Sequence, residues 1–153
     1  MVLAIAAEMD WEVRQLDVKT VFLYADIEEE VFVAEPPGFE TNDKEKGLLV
    51  IKLGKSLHGL AQSPGDWFHT IDPVPISIGC APLKSDTCIY IYNHDGVIII
   101  LTLYVDDLLV IGGDVQLIEE NRSKLIEKFK MTDMGDVSLA LGMQITRDRD
   151  QKR

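Results

Sequence analysis

Two adjacent carboxylates, Asp106 and Asp107, interrupt an otherwise apolar stretch from Val97 to Gly113, VIIILTLYVDDLLVIGG. Each flanking run has the length of one strand, is rich in β-branched residues and is too short to cross a membrane as a helix. The pattern predicts a buried β-hairpin with both acids at its tip. Alternation puts Thr102, Tyr104 and Asp106 on one face of its first strand, and Leu101, Leu103 and Val105 on the other. Like charges this close raise each other's pKa unless a cation lies between them. A hard divalent cation with oxygen ligands is the simplest relief. A solvated acidic turn is the other reading, because Asp is common in turns, and spacing alone leaves both open. A third carboxylate, Asp17, closes the alternating run EVRQLDV over residues 12–18. There Val13, Gln15 and Asp17 point one way, and Arg14, Leu16 and Val18 the other. With a core on the second face, Asp17 stands at a strand end facing a cleft; a cap or turn role is the alternative.

Several elements must position these acids. Leu3, Ile5, Ala6 and Met9 share a helical face, so residues 2–9 read as the last turns of a helix that began earlier. Residues 19–27 form a tight connection around Phe22. Residues 30–34 and 48–53 read as a hairpin across the polar loop 40–47. A helix begins near Trp67 and is stopped by Pro73 and Pro75. Residues 87–92 form a strand that leads through Asn93-His94-Asp95-Gly96, a strong turn signal, into the central hairpin. Asp114 is a plausible N-cap for a helix carrying Ile118, Leu125 and Phe129 on its apolar face. Asp133–Gly135 reads as a turn, Val137–Ile145 as a last strand, and the charged tail 147–153 as frayed.

The composition narrows the function. A chain of 153 residues with 46% hydrophobic content suits one domain with a real core. A net charge of −11, from 26 acidic and 15 basic residues, excludes a protein whose surface charge alone holds nucleic acid. Cys80 and Cys88 make no disulfide framework, which points to a reducing compartment, cytoplasmic or nuclear, with no membrane and no secretion. His58, His69 and His94 do not combine with them at zinc-finger spacing. Gly54-Lys55-Ser56 resembles the end of a P-loop, but the required glycine five residues earlier is Leu49.

Six ordered blocks, LAIAAEMDWEVRQLDVKTVFL, EEEVFVAEPPGF, KSLHGLAQSP, SDTCIY, LYVDDLLVIGGD and FKMTDMGDVSLALGMQI, together resemble the reverse transcriptase of copia-type LTR retrotransposons. The resemblance covers nearly the whole chain. It implies an α+β polymerase palm, a small antiparallel sheet backed by helices, with part of the fingers, over residues 1–146. It places Asp17, Asp106 and Asp107 as the catalytic acids, and these with Val18 as metal contacts for two Mg²⁺ ions, for which Mn²⁺ can substitute. Phe22, His58, Gly59 and Gln62 match nucleotide-binding positions, Phe22 lying under the sugar. Plain core packing for Phe22 and an ordinary loop for the other three are the alternatives. The implied partners are template-primer RNA or DNA, deoxynucleoside triphosphates and the rest of a polyprotein, with fingers strands before Met1 and thumb and ribonuclease H regions after Arg153.

The sequence departs from that family where Ala61 and Gly65 replace basic residues and Ala25 replaces a frequent glycine. The expected activity is RNA-directed DNA polymerisation by two-metal nucleotidyl transfer, with little or none from these 153 residues alone. An inactive remnant, or a module adapted to bind another protein, is the alternative.

Overall fold

The computed structural model describes residues 1–39 and 49–152. The expected loop 40–47, with Leu48 of the strand after it, lies outside the described residues. In chain order the elements are α1 (Val2–Glu8), β1 (Glu12–Val18), β2 (Phe32–Ala34), β3 (Val50–Lys52), α2 (Ser63–Ile71), α3 (Pro73–Ser77) and β4 (Ala81–Pro82). They continue with β5 (Ile89–His94), β6 (Val97–Tyr104), β7 (Asp107–Gly112), α4 (Val115–Lys128), β8 (Met131–Asp136), β9 (Leu139–Ala140) and β10 (Met143–Gln144). This mixture of helices with antiparallel sheets is the α+β class expected. The chain divides into two compact units, Met1–Thr20 with Ile71–Arg153, and Val21–Thr70.

The first unit is built on a six-stranded sheet in the order β4-β5-β6-β7-β1-β8, antiparallel at every pairing. Two hairpins assemble its centre. His94 pairs with Val97, so Asp95-Gly96 forms a two-residue turn, and both residues have positive φ, 52° and 82°. That is the backbone an Asp-Gly type I′ turn supplies. Tyr104 pairs with Asp107, which leaves Val105-Asp106 as the second turn. Asp106 therefore lies in the turn and not on the strand face with Thr102 and Tyr104, because the hairpin closes two residues earlier than simple alternation assumes.

Both sheet faces carry buried side chains. One carries Val13, Ile100 and Ile111, packed with Ala6 of α1 and flanked by Val2, Leu3 and Trp11. The other carries Leu16, Ile99, Leu101, Leu108 and Val110, all fully buried. Each such side chain contributes about 1.5–3 kcal/mol relative to exposure. The α1 helix uses a different face from the one expected: Ala6 is buried, but Ile5 and Met9 are exposed and Val2 takes part instead. At α4, the Asp114 side chain accepts from the Leu117 N–H at 3.0 Å, and Ile118 and Leu125 are fully buried, as the sequence led one to expect.

Four local expectations change. Asp133-Met134-Gly135 is a β-bulge inside β8 and not a turn: Gln15 pairs with Gly135 and Leu16 with Asp133, so Met134 is the extra residue. Gly135 adopts φ +74°, and its N–H donates to Asp133 Oδ1 at 2.8 Å. Val137–Ile145 is a small hairpin, β9–β10, turning at Leu141-Gly142 with φ of 51° and 74°. Helix α2 begins at Ser63, ahead of Trp67, and Pro73 opens α3, where its missing N–H costs nothing. Residues 70–84 thus form the end of α2, then α3 and β4. The charged tail is pinned: Arg147 donates to the carbonyls of Trp11 (2.6 Å) and Ala6 (3.4 Å), and Arg149 bridges Asp10 and Glu12. Charge complementarity between residues far apart in sequence replaces fraying.

The second unit holds a 3₁₀ turn at Val21–Tyr24 and the β2–β3 hairpin, in which Phe32 pairs with Lys52, and Lys52 forms an ion pair with Glu30. Lys55, of the rejected P-loop match, is paired with Asp26 at 2.6 Å. Trp67 of α2 is buried, with its ring 6.3 Å from that of Tyr24. No described helix is long and apolar enough to cross a membrane.

Candidate active site

Strand β1 sits between β7 and β8, and all seven of its residues are buried or half-buried there. Its antiparallel register against β7 runs from Glu12 opposite Gly112 to Asp17 opposite Asp107. Directly opposed residues share a face, with Cβ atoms about 4.5–5.5 Å apart. The fold thus brings together two acids that are remote in sequence. Asp106 follows in the turn, exposed, and its carbonyl accepts from the Val18 N–H at 2.8 Å. That bond ties the hairpin tip to the end of β1. Val18 itself pairs with Met131 on the other side.

The turn is strained. Val105 has φ +52°, a left-handed conformation that costs a β-branched residue about 1–3 kcal/mol. A positive φ at the first turn position is the type II′ geometry usually given to glycine. Asp107 is half-buried, and its Oδ1 accepts from Gln15 Nε2 at 3.0 Å.

The donor set is hard oxygen on two neighbouring strands, which suits Mg²⁺. Among the described residues no group of three or more His, Cys, Asp or Glu is closed around one point. A closed cage is not what Mg²⁺ requires, since it commonly takes one or two carboxylates and completes its shell with water and substrate phosphate. The open pair Asp17–Asp107, with Asp106 beside it, fits that pattern. A cleft of about 720 Å³, lined by Leu3, Ala7, Val13, Val137, Ile145 and Arg147 among others, lies toward the opposite end of β1 from Asp17.

The other four expected site residues, Phe22, His58, Gly59 and Gln62, all lie in the second unit. The rings of Phe22 and His58 are 5.7 Å apart, tilted by 52°. Gly59 has φ +100° with open space beside its Cα. The Gln62 carbonyl accepts from the N–H groups of Gly65 (2.9 Å) and Asp66 (3.1 Å), which starts α2. The Ser56 hydroxyl donates to Asp66, and Ser63 Oγ donates to the Leu57 carbonyl at 2.6 Å. These bonds fold the segment between Ser56 and Asp66 onto the start of α2.

Comparison with known proteins agrees with this architecture. A family described as reverse transcriptase (RNA-dependent DNA polymerase) matches residues 1–153. The chain belongs to the reverse transcriptase family. It is 42% identical over 153 residues to the Retrovirus-related Pol polyprotein from transposon TNT 1-94 of Nicotiana tabacum, a match covering 99% of this chain and 11% of that protein. It is 33% identical over 147 residues to the Retrovirus-related Pol polyprotein from transposon RE1 of Arabidopsis thaliana, covering 96% of the chain and 10% of the relative. It is 32% identical over 130 residues to the Transposon Ty1-DR4 Gag-Pol polyprotein of Saccharomyces cerevisiae, covering 84% and 7%. This reverse transcriptase chain therefore corresponds to the reverse transcriptase region of copia-type Pol polyproteins and spans about a tenth of their length.

Two residues of the site escaped the sequence reading. In the sequence Gln15 is one polar position in the β1 alternation, on the face opposite the expected core; its burial follows only from the fold. Val105 reads as ordinary strand in the sequence, because left-handed strain at a β-branched residue has no sequence signature.

Proposed function

We propose that this chain is the palm, with part of the fingers, of a copia-type reverse transcriptase, and that Asp17, Asp106 and Asp107 serve its nucleotidyl transfer. The observation that carries the reading is the register that opposes Asp17 and Asp107 one residue from the strained Val105-Asp106 turn. Asp17 and Asp107 would hold divalent cations from rigid, neighbouring strands, Asp106 would contribute from the turn, and Val18 would add a contact at the end of β1. Such cations, when bound, supply activation of a primer 3′-hydroxyl and neutralisation of charge on the leaving pyrophosphate. No side chain need act as a nucleophile, so the protein's work is positioning and charge compensation.

Phe22, with His58 against its ring, and Gly59 and Gln62 nearby in sequence would contact the nucleotide from within the second unit. The substrates are a template-primer duplex and deoxynucleoside triphosphates, and the partners are the remaining regions of a Pol polyprotein.

The test is primer extension on an RNA template with Mg²⁺. It is run on the chain itself and on the tobacco relative's polymerase region with this chain exchanged for the matching residues. The exchanged protein is expected to extend primers, and the isolated chain little or not at all. Asp107→Asn in the exchanged protein should cost at least about 100-fold, since loss of a mere supporting contact at a metal site already costs about 10–100-fold. Extension unaffected by Asp107→Asn would overturn the assignment.

A further inference from the structure

We infer that Gln15 is a positioning residue that sets the orientation of the Asp107 carboxylate before any cation binds; this rests on the metal-site reading proposed above. Gln15 is only 7% exposed, and its Nε2 donates to Asp107 Oδ1 at 3.0 Å. It shares a face with Asp17, two residues along β1, and pairs with Leu109, two residues from Asp107 on β7. Its reach is therefore the diagonal one across an antiparallel pair, about 7–8 Å between Cα atoms, which a long side chain can bridge.

The residue type is unusual for its place. The next position on the same face is Val13, packed with Ile100 and Ile111. An apolar side chain at position 15 would extend that core, and a buried amide is tolerated only when its polar atoms find partners. Gln15 meets that requirement by bonding Asp107, the acid that faces Asp17 across the sheet. The β8 bulge falls at this same point, between Gln15 and Leu16. Gln15 and Leu16, on opposite faces of β1, are both buried there, and bulges recur beside active sites.

A neutral donor is the right chemistry for such a role. Lys or Arg here would place a fixed positive charge on the carboxylate and compete with a divalent cation. Glu would add a further negative charge to a pair already opposed. An amide N–H holds Oδ1 in place while leaving the full charge and the second oxygen for a metal. Ligand-orienting contacts of this kind are typically worth 10–100-fold in metal affinity.

The experiment compares wild type with Gln15→Met, which keeps the length and apolar packing of the side chain but has no donor, and with Gln15→Glu, which keeps the shape and reverses the polarity. Mn²⁺ affinity is read by electron paramagnetic resonance, and the Gln15 side-chain amide by NMR. Mn²⁺ should bind Gln15→Met about 10-fold more weakly with amide dispersion unchanged. Asp107→Ala should shift the Gln15 side-chain NH₂ resonances of the wild-type chain in the absence of metal. Equal Mn²⁺ affinity in wild type and Gln15→Met, or NH₂ resonances indifferent to Asp107→Ala, would overturn the role of Gln15. If Gln15→Met loses its fold, Gln15→Glu decides, since unchanged Mn²⁺ affinity there likewise overturns it. Wild type that binds no Mn²⁺ at Asp17 and Asp107 would instead overturn the metal-site reading, and with it the purpose given to Gln15.

Discussion

Asp17 of β1 stands directly opposite Asp107 of β7, two carboxylates face to face across one rung of an antiparallel sheet. Like charges in that relation destabilise the fold when nothing lies between them. Asp17→Asn should therefore stabilise the metal-free chain by about 0.5–1 kcal/mol, read as a higher urea midpoint in chelator. Added Mn²⁺ should raise the wild-type midpoint and leave that of the variant nearly unchanged, because a ligand stabilises only the state that binds it. A wild type indifferent to Mn²⁺ would contradict the cation's place between these acids.

The start of β7's exit is closely packed. A Cβ at Gly112 would meet Ile99 Cδ1 at 2.4 Å and the Ile98 carbonyl oxygen at 3.0 Å. Ile99 is itself fully buried, so it has little room to yield. Gly112→Ala should cost about 1–3 kcal/mol, measured by urea unfolding. A neutral result would mean that β6 and β7 shift apart readily at this end.

Arg147 and Lys152 both reach back to the α1 region, but in different settings. Arg147 bonds two backbone carbonyls and Asp10 with its side chain 25% exposed, whereas the Lys152–Glu8 pair is 56% and 71% exposed at 3.3 Å. Arg147→Ala should cost about 1.5–3 kcal/mol, as hydrogen bonds to a charged group do, and should speed amide exchange in residues 1–12. Lys152→Ala should stay within about 0.5 kcal/mol. Equal effects would show that the tail is held by general charge attraction alone.

How far the sequence alone could reach is clear from these cases. The central hairpin, the Asp-Gly turn and the Asp114 cap were legible because each depends on residues adjacent in the chain. The β1 strand was legible from its period of two. The β8 bulge was not, because it exists only in the pairing of Gln15 and Leu16 with residues about 120 positions away. The Arg147 anchor and the Gln15–Asp107 bond are equally non-local. Asp17, Asp106 and Asp107 could be singled out as candidates, but their mutual placement follows from strand order, which no local pattern encodes.

Burial also sets an alkaline limit. The Cys80 thiol is pushed up to about 11 by desolvation, which the nearby Lys124 only partly offsets. Tyr90 is raised by burial and then by its 2.7 Å hydrogen bond to Asp72. In both, folding favours the protonated form. The Cys80 contribution is intact below the ordinary thiol value of 9.0 and is lost as pH climbs through about 11. Urea midpoints should fall steadily over that window, and Cys80→Ala should flatten the decline by roughly 2–3 kcal/mol at its upper end. A pH-independent midpoint would place both groups in water.

The most direct test of the metal-site reading is Mn²⁺ titration of the ¹⁵N-labelled chain followed by NMR. Paramagnetic broadening should begin at the amides of Asp17, Val18, Asp106 and Asp107 and should disappear from all four in Asp17→Asn. Broadening spread over surface acids such as Glu28, Glu29 and Glu30, and unchanged by Asp17→Asn, would contradict it.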